Sequence, residues 1–338
     1  ALRDNTTGTE NVAVGRSALK VNTTGNSNTS VGCGSLDANT TSSNNVAIGY
    51  ESLGANITGA DNTAVGTNSL VKNTTGTDNS AFGKCSLACN TTAAANTAFG
   101  YNSLCANTTG GSNTAIGHSA LKSNTTVGGN TAIGDDAIRT NTTGGSLVGI
   151  GQNAMYANTT GASNVAVGHS SLESNTTGPN NTAVGASALA ANTTGDQNTA
   201  IGKSAGDSIT TASHIVAVGF CAMQTNTTGS NNVSIGNYSQ FLETTGSKNV
   251  SVGYESNRNL TDGIKNTSIG HQSGYITTTG DNNANLGNEA QTSSATVSNE
   301  VTLGNSNINN LRCADTSISG LSDLRDKTNV EDIPHGLD

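Results

Sequence analysis

His118, His169 and His271 each follow a recurring glycine directly, a placement that could set imidazoles in rings or around a metal ion. The same position elsewhere holds Arg16, Tyr50, Lys84, Asp135 and Gln152, the mixture that a solvated face carries. His118 and His169 stand three repeats apart, roughly 14 Å at β-strand spacing, which is too far to share an ion. No metal site is expected. The six cysteines fit no zinc-ligand spacing. Cys89 and Cys105 fall nearly above one another on adjacent repeats, where they could form a disulfide or stay as free small side chains. Cys33, Cys221 and Cys313 look unpaired within the chain, and no redox compartment follows from them.

The Asn-Thr-Thr triplets that begin at Asn22, Asn39, Asn73, Asn90 and onward to Asn226 formally match glycosylation acceptors. A sugar on every coil would crowd at β-spacing, so a structural ladder of stacked amides is the expected use. Pairs such as Thr23-Thr24 and Thr74-Thr75 suggest an ice-matching array, but adjacent threonines point to opposite faces of a strand. There is no phosphate loop, no acid pair at a fixed spacing and no Ser-His-Asp signal. The repeats are not expected to be an enzyme or to need a cofactor.

What positions these residues is a period. Stepping by seventeen, the chain gives Gly15, Gly32, Gly49, Gly66, Gly83, Gly100, Gly117, Gly134, Gly151, Gly168, Gly185, Gly202, Gly219, Gly236, Gly253, Gly270, Gly287 and Gly304, without one insertion or deletion. The unit reads N-T-A-V-G-x-x-S-L-x-x-N-T-T-G-x-x, clearest from Asn62 to Asp78. Loops accept insertions and stacked coils do not. The residue before the glycine is always apolar, from Val14 to Leu303, and a small residue precedes it. Alternation closed by Gly reads as a short strand ending in a turn, and each glycine of the series is expected at an equivalent turn. Leu recurs four residues after the glycine, as Leu19, Leu36, Leu53 and onward. One Val/Ile and one Leu per repeat cannot bury themselves alone, so the repeats must stack into a continuous narrow core. Small residues such as Ala64 and Ser69 would let coils or subunits approach closely. Asn suits the corners because it tolerates left-handed backbone.

The expected fold class is therefore all-β, a β-solenoid or β-roll of 17-residue coils. The density of Gly, Asn and Thr excludes helix. Eighteen coils make a rod on the order of 85 Å long. Ala1 and Leu2 already match the Ser/Ala-Leu positions, so the repeat is expected to run from before them. After about Gly202 the Leu position becomes Gly206, Gln240, Asn257, Gly274 and Gln291, while Ile209, Leu242, Leu260 and Ile276 come slightly later. This predicts a change of cross-section, as drift of a degenerate repeat or as a distinct subsection.

Composition agrees with a rod more than with globular domains. Only 33% of residues are apolar, 11% are charged, and aromatics number six Tyr and four Phe. Disordered chains are also poor in apolar residues, but they lack this periodicity. A net charge of −9 argues against nucleic acid as a partner, since phosphate binding needs clustered Lys and Arg. No apolar window is long enough for a membrane helix, so no membrane insertion is expected, and Ala1 opens no signal peptide.

The unit from Asn45 to Ser52 resembles the head repeats of trimeric autotransporter adhesins. Those form left-handed β-rolls as homotrimers, with a shorter period and without the Asn-Thr-Thr-Gly segment. The resemblance implies a stacked homotrimer. At the other end, Ser322-Asp323-Leu324-Arg325-Asp326-Lys327-Thr328-Asn329-Val330 is similar to the opening of the endosialidase-type intramolecular chaperone domain, which follows phage tail fibres and tailspikes. Members of that family trimerise the fibre and then cleave themselves off just before the motif serine. The resemblance implies Ser322 as nucleophile and Lys327 as its activating base, acting on the bond between Leu321 and Ser322 with most of the chaperone lying beyond Asp338. The implied organisation is a shaft over 1–304, a transition segment over 305–321 and the chaperone start over 322–338. The implied function is a viral tail fibre or cell-surface adhesin shaft, on a virion or outside the cell. Its partners would be its own copies and a host-surface glycan or receptor, the latter met by outward positions such as Tyr50, Tyr101 and Tyr254. A purely structural extracellular filament and an ice-binding solenoid are the alternatives.

Overall fold

A computed structural model describes residues 1–310. Its compact unit Ala1–Asn305 is a single β-solenoid. Eighteen three-residue strands, β1 (Val12–Val14) to β18 (Val301–Leu303), recur every seventeen residues. They form one parallel sheet in which each residue pairs with the one seventeen later, as in Val46↔Thr63, Ala47↔Ala64 and Ile48↔Val65. Turns and bends complete every coil, and no helix occurs among the described residues. The sheet is parallel because each coil repeats the path of the last, and an insertion would slip every later pair.

The inside and the outside of the strand differ from expectation. Ala47, Ala64, Ala81 and their equivalents, the middle residues of the strands, are fully buried, whereas the apolar residue before the glycine faces out. Val14 is 58% exposed, Ile48 40%, Phe99 54% and Ile269 44%. The expectation that Val/Ile joins Leu in the core is thus corrected. A three-residue strand sends its middle side chain one way and its flanks the other, and the coil is so thin behind the sheet that a small residue faces in wherever Leu, Ile or Met fills the coil, with the larger Asn285 buried only where Gln291 stands at the Leu position. Gly149 shows the tightness: a Cβ there would lie 2.5 Å from Cγ1 of Ile138. Ala64 and Ser69 line the core and are not surface residues.

Left-handed backbone is also placed elsewhere than at the repeated asparagines. Three non-glycine positions per coil have positive φ, for example Glu51 (51°), Leu53 (49°) and Asp61 (59°). A leucine in this region costs about 1–2 kcal/mol. Full burial of its side chain contributes about 1.5–3 kcal/mol, enough to offset the strain. Gly206 and Gly274, at the Leu position, keep φ of 60° and 66°. The space they leave is filled: a Cβ on Gly206 would meet Cδ1 of Ile209 at 2.9 Å. Ile209 and Leu260 are fully buried, while Leu242 and Ile276 are 40% exposed. The strand pairing runs unchanged through β18, so past Gly202 the filling of the coil changes and its register does not.

The repeated asparagines point inward and form two ladders. In one, Nδ2 of each Asn from Asn22 to Asn192 donates to Oδ1 of the Asn seventeen residues earlier, as in Asn39 to Asn22 (2.9 Å), Asn73 to Asn56 (2.9 Å) and Asn192 to Asn175 (2.9 Å). In the other, a backbone N–H donates to the side-chain oxygen one coil back, as from Asn45 to Asn28 (3.0 Å). Both satisfy polar groups that a narrow core would otherwise strand.

Glu243 occupies an Asn position in the first ladder and is fully buried. Its Oε1 accepts from Nδ2 of Asn232 at 2.9 Å and of Asn249 at 3.3 Å. Burial outweighs these bonds and raises the carboxyl pKa well above its usual range. The unfolded chain ionises Glu243 at an ordinary carboxyl pKa, so stability is highest below that value. It falls by about 1.4 kcal/mol per pH unit above it until the buried group ionises too. Glu243→Gln is expected to raise the thermal midpoint at pH 7, leave it nearly unchanged at pH 4 and flatten the slope between, as read by thermal melts across that range.

Candidate functional site

A rod with this core has only its surface to work with. Two grooves on it, one lined by Gly34, Asp37, Glu51 and Val71 and the other by Glu173, Ala190, Asp207 and Ser208, are shallow clefts between adjacent coils. Two long faces remain: the column of residues after each recurring glycine, and the outer face of the sheet.

The first face stacks like on like, because equivalent side chains one coil apart sit at strand spacing. His118 stacks on Tyr101 with ring centroids 5.6 Å apart and planes at 16°, and His271 stacks on Tyr254 at 5.5 Å and 14°. Lys84 Nζ lies 6.0 Å over the Tyr101 ring. His118 Nδ1 is 2.8 Å from Asp135 and 3.9 Å from Asp136, and Arg139 pairs with Asp136 at 3.1 Å. The ligand atoms of His118, Asp135 and Asp136 lie within 4.8 Å of one another. With Arg139 they form a polar cluster in which Asp136 and Arg139 are an ion pair and His118 and Asp135 share a hydrogen bond. Farther along, Tyr238 meets Phe220, Phe241 and Tyr254 edge-on, and Arg258 lies over the Phe241 ring at 5.4 Å. Sequence reasoning identified this column as solvated but missed its stacking. The signal was present, as Tyr and His seventeen residues apart.

Cys89 and Cys105 are free thiols on neighbouring coils, where Cys89 N–H donates to the Cys105 carbonyl at 3.0 Å. Burial, with help from Cys89 and Cys85, raises the Cys105 thiol pKa. Asn22, Asn39, Asn73 and the other ladder asparagines of the triplets are fully buried, so their amides are out of reach of glycosylation in the folded coil. The first Thr of a pair donates its hydroxyl to the next coil, as Thr23 to the Thr40 carbonyl at 3.0 Å and Thr74 to that of Thr91 at 3.0 Å. Ser322, Lys327 and Cys313 lie outside the described residues.

The outer face of the sheet carries two columns, Thr or Val at the first strand position (Ser80 in β5 and Ala284 in β17) and Val, Ile, Phe or Leu at the third. The Phe82 and Phe99 rings stack there at 5.1 Å. Neither column contains a charged residue in any of the eighteen strands. No known protein family and no curated protein matches the chain.

Proposed function

We propose that this protein is the shaft of a homotrimeric fibre that supplies reach and attachment, carried on a virion or a cell surface. The observation that supports the reading best is the unbroken stack of eighteen coils, which has the form of a mechanical element. The outward stacked column, with Tyr50, Tyr101 and Tyr254, is the surface offered to a host glycan or receptor. At the C-terminal end, the likeness of Ser322 to Val330 to a self-cleaving chaperone supports one further event. Ser322, with Lys327 as base, cuts the bond between Leu321 and Ser322 once three chains have assembled.

The test uses the full-length chain. Intact mass and electron microscopy are expected to show trimeric rods on the order of 85 Å in the shaft, released at the bond between Leu321 and Ser322. Ser322→Ala is expected to give larger trimers that keep the C-terminal part, with no cleaved product. A monomeric wild type refutes the fibre. An uncut wild type, or a cleaved Ser322→Ala variant, refutes the cleavage assignment. Rods that grow end to end beyond one trimer favour the self-assembling filament.

A further inference from the structure

The outer column of the sheet poses a question that the isolated chain does not answer. The residue before each recurring glycine is apolar in all eighteen repeats, from Val14 through Ile133 to Leu303, and it faces outward. The fully buried Leu position is kept less strictly and gives way to Gly206, Gln240, Asn257, Gly274 and Gln291. A chain alone in water has no reason to keep an exposed column more apolar than its own core, because a polar residue outside costs nothing and one inside costs much. We propose that this column is the surface through which copies of the chain bind one another, parallel and in register. The proposal rests on the fibre reading and specifies which face serves it.

Size and charge fit a second copy as occupant. At about 70 Å² of exposed apolar side chain per coil, eighteen coils present on the order of 1,000 Å². That exceeds the roughly 300–600 Å² of the largest patch on a typical monomer and meets the about 800 Å² per partner of a stable interface. Each chain carries a net charge of −9, so two copies approach best along a face without charge, and the sheet's outer face is one. A straight stripe at coil spacing over the whole rod is matched in length and pitch by another copy of the same stripe. A rotation axis along the rods sets like coil against like coil and covers all of it, and a slip by one coil leaves stripe uncovered at both ends.

Thiol protection and coupling test this on the full-length assembly. Ile48→Cys places a thiol on the stripe near one end of the rod, and Gln152→Cys places one on the exposed stacked column. In the native oligomer, alkylation at position 48 is expected to be at least tenfold slower than at position 152, as read by peptide mass spectrometry. The two rates should become equal after unfolding. On oxidation, the Ile48→Cys chains are expected to join to each other through that position. Equal native rates in an assembly that intact mass shows to be oligomeric overturn the interface while leaving the fibre reading in place. A protected thiol that does not couple to its own counterpart overturns the parallel register. A monomeric wild type overturns both readings together.

Discussion

Leu104→Asp is expected to cut the solenoid in two. Leu104 is fully buried between Leu87 and Leu121 in the Leu column. Truncating such a side chain costs about 2–5 kcal/mol, and a carboxylate left unpaired in the same place adds more. The core is a single file, with each coil contacting only its neighbours. No flanking layer exists to absorb the charge, so the coil opens and its neighbours lose one face each. Limited proteolysis is expected to clip the variant around residue 104 into an N-terminal and a C-terminal piece, with a thermal midpoint well below wild type. Lys84→Ser, on the exposed column one coil earlier, is expected to change stability by no more than about 0.5 kcal/mol. Equal midpoints for the two variants would show that the inside and the outside are wrongly assigned.

The second large effect is expected for Gly117→Ala. Gly117 has φ of +136°, and its sixteen counterparts from Gly15 to Gly287 fall between 120° and 145° with it. Any side chain in that region costs about 1–3 kcal/mol. A Cβ there would also collide with the carbonyl of Gly134 on the next coil, which is backbone and cannot turn aside. The two penalties fall on the same contact, so the stack must part at that level. The Asn-Thr-Thr-Gly glycine gives the contrast. A Cβ on Gly76 would likewise meet a backbone carbonyl of the next coil, that of Ala93, but Gly76 has no positive φ, and the next coil carries Ala93 in its place. Gly76→Ala is expected to lose clearly less than Gly117→Ala, which drops by several degrees or fails to accumulate as a folded rod. Equal melting of the two would remove the positive φ from the explanation of the recurring glycine.

The seventeen-residue glycine series, the absence of helix among the described residues and the stacking of the Asn-Thr-Thr asparagines into an amide ladder were all readable before any coordinate; their inward direction and their ordinary backbone were not. Stacked coils tolerate no insertion, so the period is printed directly on the sequence, and eighteen glycines in phase leave one way to stack them. Sequence reasoning also identified the column after the glycine as solvated, because Arg16, Lys84 and Asp135 share it with the histidines.

The tertiary structure alone decided which apolar residue is inside. A pattern of β-branched, small, β-branched around Ala64 reads equally well with Val65 in the core or in water, since a strand only alternates. What breaks the tie is the thickness of the coil, set where the turn brings Leu70 back beneath the sheet. That turn depends on leucines holding left-handed backbone against their own preference, a choice that local propensity opposes and burial reverses. Once the leucine fills the coil, only Ala, Ser or Gly fits opposite it. The larger Val, Ile and Phe side chains are then pushed to the outer face, where they make the stripe proposed to join the chains.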